Sequence, residues 1–535
     1  MSMITATTWV PRGFAAPFPS KYVFDEDEYD RISKLAKLQL DDAKEDLEEA
    51  QDEKKQKENN GSNGTAKAPD TDKANSRSEI DDDLKEYNLE HYDDDDQEGD
   101  GDTMAMFGNM KNLVFHENDE EDPYITMAGN AEEEDEEREE LQILATDNLV
   151  LAGRVEDEVA HLEVYVYEDE ADNIYVHHDI MLPAIPLAVE WLDLPVGKTG
   201  AEANAKGNFV AVGTMDPDIE IWNLDLVDSM YPDAILGQGS EDADKAKKKK
   251  KKKSKKANDE FHVDSVLSLA ANRHHRNLLA SSSADKTIKL WDLNTTKCAK
   301  SYTYHTDKVC SVSWNSTEST VLLSGSYDRT IVAADMRAPD AKAPRWGVES
   351  DVETVRWNPH DSNYFYVSTE NGMIHYHDAR NAPADPSQSK AVWVLQAHDE
   401  SISSFDINPV IPGFLATGST DKQVKLWNIQ ESGPSMVVSR DLGVGKVFST
   451  TFAPDKEVGF RLSVAGSKGA VQIWDTSTNA AVRAAFATKV PQIKGDGKEK
   501  IVGLDEAETD SDSDEGESED EDGDGGEKGY ESMEE

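Results

Sequence analysis

Short segments that alternate apolar and polar residues recur at a nearly regular interval through the middle of the chain. Six of them align as DPDIEIWNL, DKTIKLWDL, DRTIVAADM, NGMIHYHDA, DKQVKLWNI and KGAVQIWDT. Alternation with a period of two predicts half-buried β-strands, and the turn residues before each string predict tight connections. A weaker copy lies upstream. At the aligned position that is most often tryptophan, the seven copies have Tyr167, Trp222, Trp291, Ala334, His377, Trp427 and Trp474. We therefore expect seven repeats.

A second regularity identifies the type of repeat. In three copies a histidine precedes an aspartate by 23 residues, and the aspartate lies six residues before the aligned position. The pairs are His262 with Asp285, His305 with Asp328, and His398 with Asp421. An early histidine and a Trp-Asp or Trp-Asn ending are the signature of WD repeats, in which four short strands form one blade. The predicted fold class is all-β: a seven-bladed WD-repeat β-propeller over residues 145–488.

These recurring polar residues are predicted to hold the blades together. In WD-repeat blades the aspartate accepts a hydrogen bond from the histidine, which also meets a hydroxyl that accepts from the tryptophan indole. The two complete sets are His262, Asp285 and Trp291 with Ser281 or Ser283, and His398, Asp421 and Trp427 with Thr417 or Ser419. An active site occurs once whereas a fold device recurs, so a hydrolase is not expected.

Several blades depart from the pattern. Ala334 stands for the tryptophan in blade four, Asn371 and His377 replace the aspartate and tryptophan in blade five, and Lys468 replaces the aspartate in the last blade. We expect those blades to depend on apolar packing alone. Blade one lacks a clear first strand, and the candidates to supply it are residues 124–127 or residues 484–490.

Charge separates the chain into three regions. The formal net charge is −54, of which residues 1–145 contribute −27 and residues 505–535 contribute −16. Such composition cannot bury enough apolar surface to fold, so residues 1–144 and 489–535 are predicted to be mostly disordered extensions. The first extension contains short segments with apolar and aromatic residues, which suggests that they dock on a partner or, alternatively, pack against the protein's own ring. The candidate docking residues are Trp9, Arg12, Leu84, Tyr87, Leu89 and Tyr92.

One basic segment interrupts this acidic chain. Residues 238–260 form an insertion between blades two and three, and its lysines are Lys245, Lys247, Lys248, Lys249, Lys250, Lys251, Lys252, Lys253, Lys255 and Lys256. Three interpretations remain: a nuclear import signal, contacts to nucleic-acid phosphates, or a solvated loop that balances the acidic extensions. The tract contains no aromatic residue, so any RNA contact there should tolerate many sequences.

Motifs typical of enzymes are missing from the sequence. There is no nucleotide-binding loop, no zinc-binding spacing and no nucleophile elbow, so we expect no catalysis, no cofactor and no small-molecule substrate. Two cysteines and no long apolar run argue against a disulfide framework and a membrane span. The C-terminal extension offers three candidate sites for an acid-directed kinase, at Thr509, Ser511 and Ser518.

Segments outside the repeats carry a more specific resemblance. WVPRG, DDDLKEYNLEHYDDD, DNLVLAGR, VHHDIMLPAIPLAVEWLD, SADKTIKLWDLN, the lysine tract and GPSMVVSRDLGVGKV occur in this order. Together they resemble the periodic tryptophan protein 1 family over nearly the whole chain except about the last thirty residues. The resemblance implies a nucleolar assembly factor of the large (60S) ribosomal subunit, without catalysis of its own.

The expected function is therefore a scaffold in the nucleus and nucleolus. Its expected partners are assembly factors and ribosomal proteins of the pre-60S particle, together with pre-rRNA. Two alternatives stay open from the residues alone: a chromatin module whose ring binds a histone tail, and a substrate receptor of a ubiquitin ligase.

Overall fold

The structure is a computed structural model that describes residues 2–23, 138–139, 141–198, 205–237, 258–338, 341–487, 489 and 499–503. The chain divides into two compact units, Met1–Val23 with Gln142–Glu535 in one and Phe24–Leu141 in the other. Residues 138–139 and 141 are the described part of the second unit. All the strands below belong to the first unit.

The first third of the ring contains strands from both sides of the acidic N-terminal region. In chain order they are β1 (Ser2–Val10), β2 (Ser20–Lys21), β3 (Asn148–Glu156), β4 (Val159–Glu168), β5 (Asn173–Leu182), β6 (Pro186–Leu192), β7 (Phe209–Thr214), β8 (Ile219–Asn223), β9 (Leu226–Val227) and β10 (Ala234–Leu236).

The remaining strands follow in regular groups of four. They are β11 (Val266–Ala271), β12 (Leu278–Ser283), β13 (Ile288–Asp292), β14 (Lys297–Tyr302), β15 (Val309–Trp314), β16 (Val321–Ser326), β17 (Thr330–Asp335), β18 (Arg345–Gly347), β19 (Val352–Trp357), β20 (Tyr364–Thr369), β21 (Met373–Asp378), β22 (Trp393–Gln396), β23 (Ser404–Ile407), β24 (Phe414–Gly418), β25 (Val424–Gln430), β26 (Gly433–Arg440), β27 (Val447–Phe452), β28 (Arg461–Gly466), β29 (Val471–Asp475) and β30 (Lys500–Gly503). Short 3₁₀ helices cover Pro386–Gln388 and Thr476–Thr478, and one α-helix, α1, covers Ala480–Ala485.

Seven four-stranded antiparallel sheets form the seven predicted blades. Blade one has the order β1-β3-β4-β5, blade two β6-β7-β8-β10, and each later blade takes four consecutive strands. The first strand of every sheet contacts the first strand of the next sheet, and β27 of the last blade contacts β1 of the first. The sheets therefore close into a β-propeller with their first strands at the centre, which confirms the predicted fold class.

The apolar core lies between the blades. Each of the seven interfaces between neighbouring sheets holds one buried cluster, and the cluster between blades seven and one includes Ile4, Trp9 and Ala465. Alternation along the strands supplies these clusters because successive side chains point to opposite faces of a sheet. Every interface of the ring thus buries apolar side chains from both neighbouring blades.

The structure corrects the predicted limits of the propeller. The inner strand of blade one is β1, which pairs with β3 from Ser2 with Glu156 to Val10 with Leu149. This strand lies inside the predicted extension 1–144, and neither candidate for the missing strand takes its place: residues 124–127 lie outside the described residues, and α1 occupies the start of 484–490. At the other end β30 is the outer strand of blade seven, although it lies inside the predicted tail 489–535.

The segment after β1 continues along the first two blades. Strand β2 pairs in parallel with β9 of the second blade, and the main-chain N–H of Tyr22 donates to the Val227 carbonyl at 2.9 Å. The residues up to Val23 are therefore part of the ring. No helix among the described residues is long and apolar enough to cross a bilayer.

Candidate functional site

The polar set of blade three has the predicted geometry. The Trp291 indole N–H donates to Ser281 Oγ at 2.8 Å, and Ser281 Oγ lies 2.7 Å from His262 Nε2. His262 Nδ1 lies 2.9 Å from Asp285 Oδ2. One proton arrangement satisfies every atom: Ser281 donates to Nε2, and Nδ1–H donates to the carboxylate. Of the two serines proposed for this set, Ser281 is the member.

Blade six repeats the arrangement with a threonine. Trp427 Nε1 donates to Thr417 Oγ1 at 3.0 Å, and Thr417 Oγ1 lies 2.8 Å from His398 Nε2. His398 Nδ1 lies 2.8 Å from Asp421 Oδ2. The hydroxyl in this set is therefore Thr417 and not Ser419.

The charges of the blade-three set are held in one protonation state. Burial, the largest influence, lowers the pKa of His262, so the ring is neutral at pH 7. Burial alone would raise the pKa of Asp285, but hydrogen bonds from His262 and Thr287 outweigh it and lower that pKa to about 2. Its second oxygen, Oδ1, accepts from the Thr287 main chain at 2.9 Å across a turn in which Lys286 has a φ of 72°. The aspartate thus fixes both the histidine and the tight turn.

Blade four retains most of the set without its tryptophan, which corrects one prediction. His305 Nε2 lies 2.8 Å from Ser324 Oγ, and Nδ1 lies 3.2 Å from Asp328 Oδ2, although Ala334 stands in the tryptophan position. Blade four therefore does not depend on apolar packing alone. The indole of Trp346 on β18 lies in the core between blades four and five and packs edge-on against Phe365 at 5.0 Å.

Blades five and seven do lack the polar set. His377 is buried in the tryptophan position, where neither ring nitrogen has a partner among the described residues, and its ring stacks on Phe365 at 5.3 Å. Burial, with a smaller contribution from His375, lowers the pKa of His377 to about 4. In blade seven the buried Trp474 indole N–H has no partner in the described part of the chain, and Lys468 replaces the aspartate.

Blade two uses a carboxyl group in place of the hydroxyl. The Trp222 indole N–H donates to Glu220 Oε2 at 3.2 Å. Glu220 is buried, and burial raises its pKa to about 7. This tryptophan therefore has an acceptor, although the blade contains neither the histidine nor the serine of the repeat.

A second series of tryptophans joins neighbouring blades and was not recognised in the sequence. Trp314 and Trp357, each near the end of an inner strand, donate to main-chain carbonyls on the preceding blade, at 2.9 Å to Ala270 and 3.2 Å to Ser313. Trp9 does the same across the closure, donating to the Thr451 carbonyl at 3.0 Å. Trp314 and Trp357 lie 43 residues apart, and this spacing was the signal in the sequence that could have revealed the series.

The prediction that Trp9 docks on a partner is therefore wrong. Trp9 is 6% exposed and belongs to the core between blades seven and one, so the alternative of packing against the protein's own ring is what the structure shows. Arg12 is half-buried beside it: its main-chain N–H donates to Asp455 Oδ2 at 3.0 Å and its Nε to Asn148 Oδ1 at 2.8 Å. Leu84, Tyr87, Leu89 and Tyr92 lie outside the described residues.

A series of asparagines links the loops that follow the inner strands. The side-chain amides of Asn272, Asn315 and Asn408 donate to main-chain carbonyls of the next blade's loop, at 2.6, 2.9 and 2.6 Å. Each side-chain oxygen also accepts two main-chain N–H groups of its own loop. These asparagines therefore link three pairs of neighbouring blades through their loops, and the 43-residue spacing between Asn272 and Asn315 was the signal available in the sequence.

The inner strands enclose a central channel of about 760 Å³. Its lining is mixed: Thr7 and Ser311 contribute hydroxyls, and Arg356 Nε lies 3.7 Å from Asp406 Oδ1. Burial, followed by the charges of Glu370 and Asp351, raises the pKa of Glu353 at the channel wall to about 7. The lining offers both hydrogen-bond donors and hydrogen-bond acceptors to water or to a polar chain segment.

Other predicted site residues can be placed only in part. The lysine tract and Thr509, Ser511 and Ser518 lie outside the described residues. Cys298 and Cys310 are free thiols. The described residues contain no group of three or more His, Cys, Asp or Glu side chains placed to hold a metal ion.

Comparison with known proteins adds relatives that span nearly the whole chain. The chain is 40% identical to periodic tryptophan protein 1 of Saccharomyces cerevisiae, with 93% of this chain and 92% of the relative covered. It is 52% identical to an uncharacterised WD repeat-containing protein of Schizosaccharomyces pombe, covering 95% of each. A Drosophila melanogaster homologue of periodic tryptophan protein 1 is 30% identical over 91% of this chain and 96% of its own length.

The chain belongs to the periodic tryptophan protein 1 family. The sequence model of a second family, described as WD domain, G-beta repeat, matches residues 256–292, 296–333 and 389–428 of this chain. These are blades three, four and six, the three that carry the histidine–aspartate pair. The other blades depart from the repeat at the positions described above, and in the structure they complete the ring.

Proposed function

We propose that this protein is a non-catalytic scaffold of ribosome biogenesis that acts in the nucleolus on precursors of the large (60S) subunit. The observation that carries the proposal is the correspondence with periodic tryptophan protein 1 over 93% of the chain, including segments outside the repeats. Membership of this family implies such a role, as the sequence resemblance already indicated.

The use of the polar residues supports a role in binding. The histidines, hydroxyls and aspartates that resemble a hydrolase set are tied to tryptophans in repeated positions, where they hold blades together. What the ring offers a partner is its two loop-bearing faces, its channel and its long acidic segments. Such a platform can hold several proteins at once and is suited to assembly.

The position of the lysine tract supports a contact with a large anionic partner or an import receptor. Residues 238–257 connect the end of β10 to the start of blade three, where His262 and Asp285 also lie. We propose that Lys247–Lys253, Lys255 and Lys256 bind an import receptor or the phosphates of pre-rRNA. The docking of Leu84, Tyr87, Leu89 and Tyr92 on assembly factors and the phosphorylation of Thr509, Ser511 and Ser518 remain parts of the same proposal.

Depletion of the endogenous protein, followed by rescue with this chain, tests the proposal. Pre-rRNA species would be measured by hybridisation and ribosomal subunits by gradient sedimentation. We expect depletion to accumulate large-subunit precursors and to lower the amount of 60S relative to 40S subunits, and we expect the chain to restore both. Unchanged pre-rRNA processing would refute the proposal. Histone co-purification that resists RNase, with no link to pre-ribosomes, would favour the chromatin alternative instead.

A further inference from the structure

A small cavity of about 200 Å³ lies at the end of blade one, apart from the central channel. Its walls are two chain segments that run side by side, residues 11–17 after β1 and residues 143–147 before β3. The Ile143 main-chain N–H donates to the Pro17 carbonyl at 3.0 Å and joins the two segments. Most of the lining is aliphatic, from side chains such as Val10, Pro11 and Leu149.

Both walls of the cavity are fixed by hydrogen bonds. The Ala16 N–H donates to Asp225 Oδ1 at 2.9 Å and the Leu144 N–H to Asp147 Oδ2 at 2.8 Å. Val10, Ile143 and Leu149 belong to the buried core between blades one and two. The cavity is therefore formed before any partner arrives, so a partner would lose little affinity to ordering of this surface.

Two charged side chains line the cavity, Arg12 and Asp147, and the Asp147 carboxylate accepts from the Leu144 N–H at 2.8 Å and from the Thr146 hydroxyl at 3.4 Å. The Arg12 guanidinium donates through Nε to Asn148 Oδ1 at 2.8 Å, an interaction that holds the plane of the group. Its two terminal Nη groups make no hydrogen bond or ion pair with any residue that the structure describes. Leu144, which is 50% exposed, extends the apolar surface at the rim. Among the residues that the structure describes, the Arg12 Nη groups are therefore donors without an acceptor beside an apolar cavity.

We propose that this cavity binds a short segment of a partner protein in which an aliphatic side chain is followed or preceded by a carboxylate. The aliphatic side chain would fill the cavity, and the carboxylate would accept two hydrogen bonds from the Arg12 fork. The inference deepens the proposed scaffold function, because it assigns one partner-binding surface and the chemistry of the segment that fits it.

The lining favours a peptide over a nucleic acid. None of the residues that line the cavity is aromatic, whereas single-stranded bases are bound mainly by stacking on aromatic rings. A single arginine also offers one phosphate contact, which is too few for strong binding to a polyanion. A carboxylate beside an aliphatic group matches both halves of the surface.

The test uses the full-length protein and a phage-displayed library of random seven-residue peptides. Enriched peptides would be synthesised with a fluorescent label, and their affinity measured by fluorescence polarisation. We expect a consensus of one aliphatic residue adjacent to Asp or Glu. Enrichment of basic or featureless peptides would overturn the proposal.

Two variants on different walls and one control decide whether the peptides bind at this cavity. Arg12→Gln removes the charge and Ala15→Met fills the cavity, and each should weaken binding at least tenfold. Arg337→Gln removes an arginine that is 74% exposed in blade four, and it should leave affinity unchanged. Thermal melting identifies a variant that does not fold, and the other variant then decides. Unchanged affinity in a folded Arg12→Gln or Ala15→Met protein would contradict the assignment.

A labelled single-stranded RNA provides the remaining arm. If RNA binds in an Arg12-dependent manner and displaces the peptides, the site is a nucleic-acid site and the proposal fails. The result is independent of pre-rRNA processing. Peptide binding can therefore be confirmed while the ribosomal role fails, or the reverse.

Discussion

At the scale of single residues, the polar sets show how one hydroxyl can satisfy two buried partners. Ser281 accepts from the Trp291 indole and donates to His262, and Thr417 takes the same place in blade six. In blade four the Ser324 hydroxyl contacts the His305 imidazole at 2.8 Å and the Val332 carbonyl at 3.4 Å but no indole, because alanine replaces the tryptophan. The three blades therefore allow a hydroxyl with two side-chain partners, in blades three and six, to be compared with a hydroxyl that has one side-chain partner, in blade four.

Removing the hydroxyl should cost more where two partners depend on it. We expect Ser281→Ala and Thr417→Val to lower the free energy of unfolding by about 1–3 kcal/mol, since each leaves an indole N–H and an imidazole nitrogen buried without a partner. Ser324→Ala is the matched control and should cost less. Urea denaturation measures the three values. A loss at Ser324 equal to or larger than that at Ser281 would contradict this account.

His377 presents the opposite case, a buried imidazole without partners. Replacing it with phenylalanine keeps an aromatic ring against Phe365 and removes two unsatisfied nitrogens. We expect His377→Phe to raise the free energy of unfolding by about 1–3 kcal/mol at pH 8, where histidine is neutral in both states.

The advantage of His377→Phe should grow in acid. Burial and the neighbouring His375 lower the pKa of folded His377 to about 4, while the unfolded residue titrates near 6.5. Because the unfolded state binds the proton first, the wild type loses stability as the pH falls from 6.5 towards 4. The variant escapes a loss of about 3 kcal/mol. Denaturation at pH 8, 6 and 5 measures the difference, and a constant difference would show that the folded histidine is not held neutral.

At the scale of strands, the sequence predicted the repeats far better than the closure. Strands such as β13 and β25 combine strict alternation with turn residues and the aligned tryptophan, so their local pattern agrees with their tertiary role. The segment SMITATTWV also contains apolar residues, but 137 residues separate Val10 from its partner strand. A strand pairing across that distance is determined by the tertiary structure of the assembled ring, and it leaves no periodic signal in the sequence of the strand itself.

The same reasoning explains which site residues were recognised. The sets around Trp291 and Trp427 have fixed spacing, and their members were predicted down to two alternatives for the hydroxyl. Trp9 stands alone in an acidic region, and its role becomes visible only beside Trp314 and Trp357 in the folded ring.

Trp9 should be a main determinant of ring stability. We expect Trp9→Ala to lower the free energy of unfolding by about 3–5 kcal/mol, because it empties part of the core between blades seven and one. Trp393, half-buried on the outer strand of blade five, provides the comparison as Trp393→Ala. Chemical denaturation of both variants measures the effect. An equal or smaller loss at Trp9 would mean that β1 does not hold the closure.

At the scale of the whole molecule, the lysine insertion and the acidic stretch between Val23 and Gln142 are tolerated because both interrupt connections between strands and not the strands themselves. The lysine insertion begins after Leu236 of β10 and ends before Val266 of β11, so its charge can change without altering a blade. The acidic stretch between Val23 and Gln142 leaves the ring after β2 and rejoins it before β3.

The charge of the lysine tract should determine its function. Replacing the lysines from Lys247 to Lys256 with glutamine removes the charge at constant length, and replacement with arginine keeps it. We expect the glutamine variant to lose nuclear accumulation, to bind RNA with a weaker salt dependence, or both, while its melting temperature stays unchanged. The arginine variant should behave as the wild type. Microscopy of tagged proteins and RNA titrations at several salt concentrations measure these outcomes, and a glutamine variant that matches the wild type in both would refute the role.

The strand at the centre of the first blade also constrains how the protein is made. Translation produces Ser2–Val10 long before it produces the carbonyl of Thr451 that accepts from Trp9. The nascent chain must therefore keep β1 available for pairing until the first strand of blade seven, β27, has been made. A chain that ended before blade seven would leave β1 without the strands that contact it across the closure.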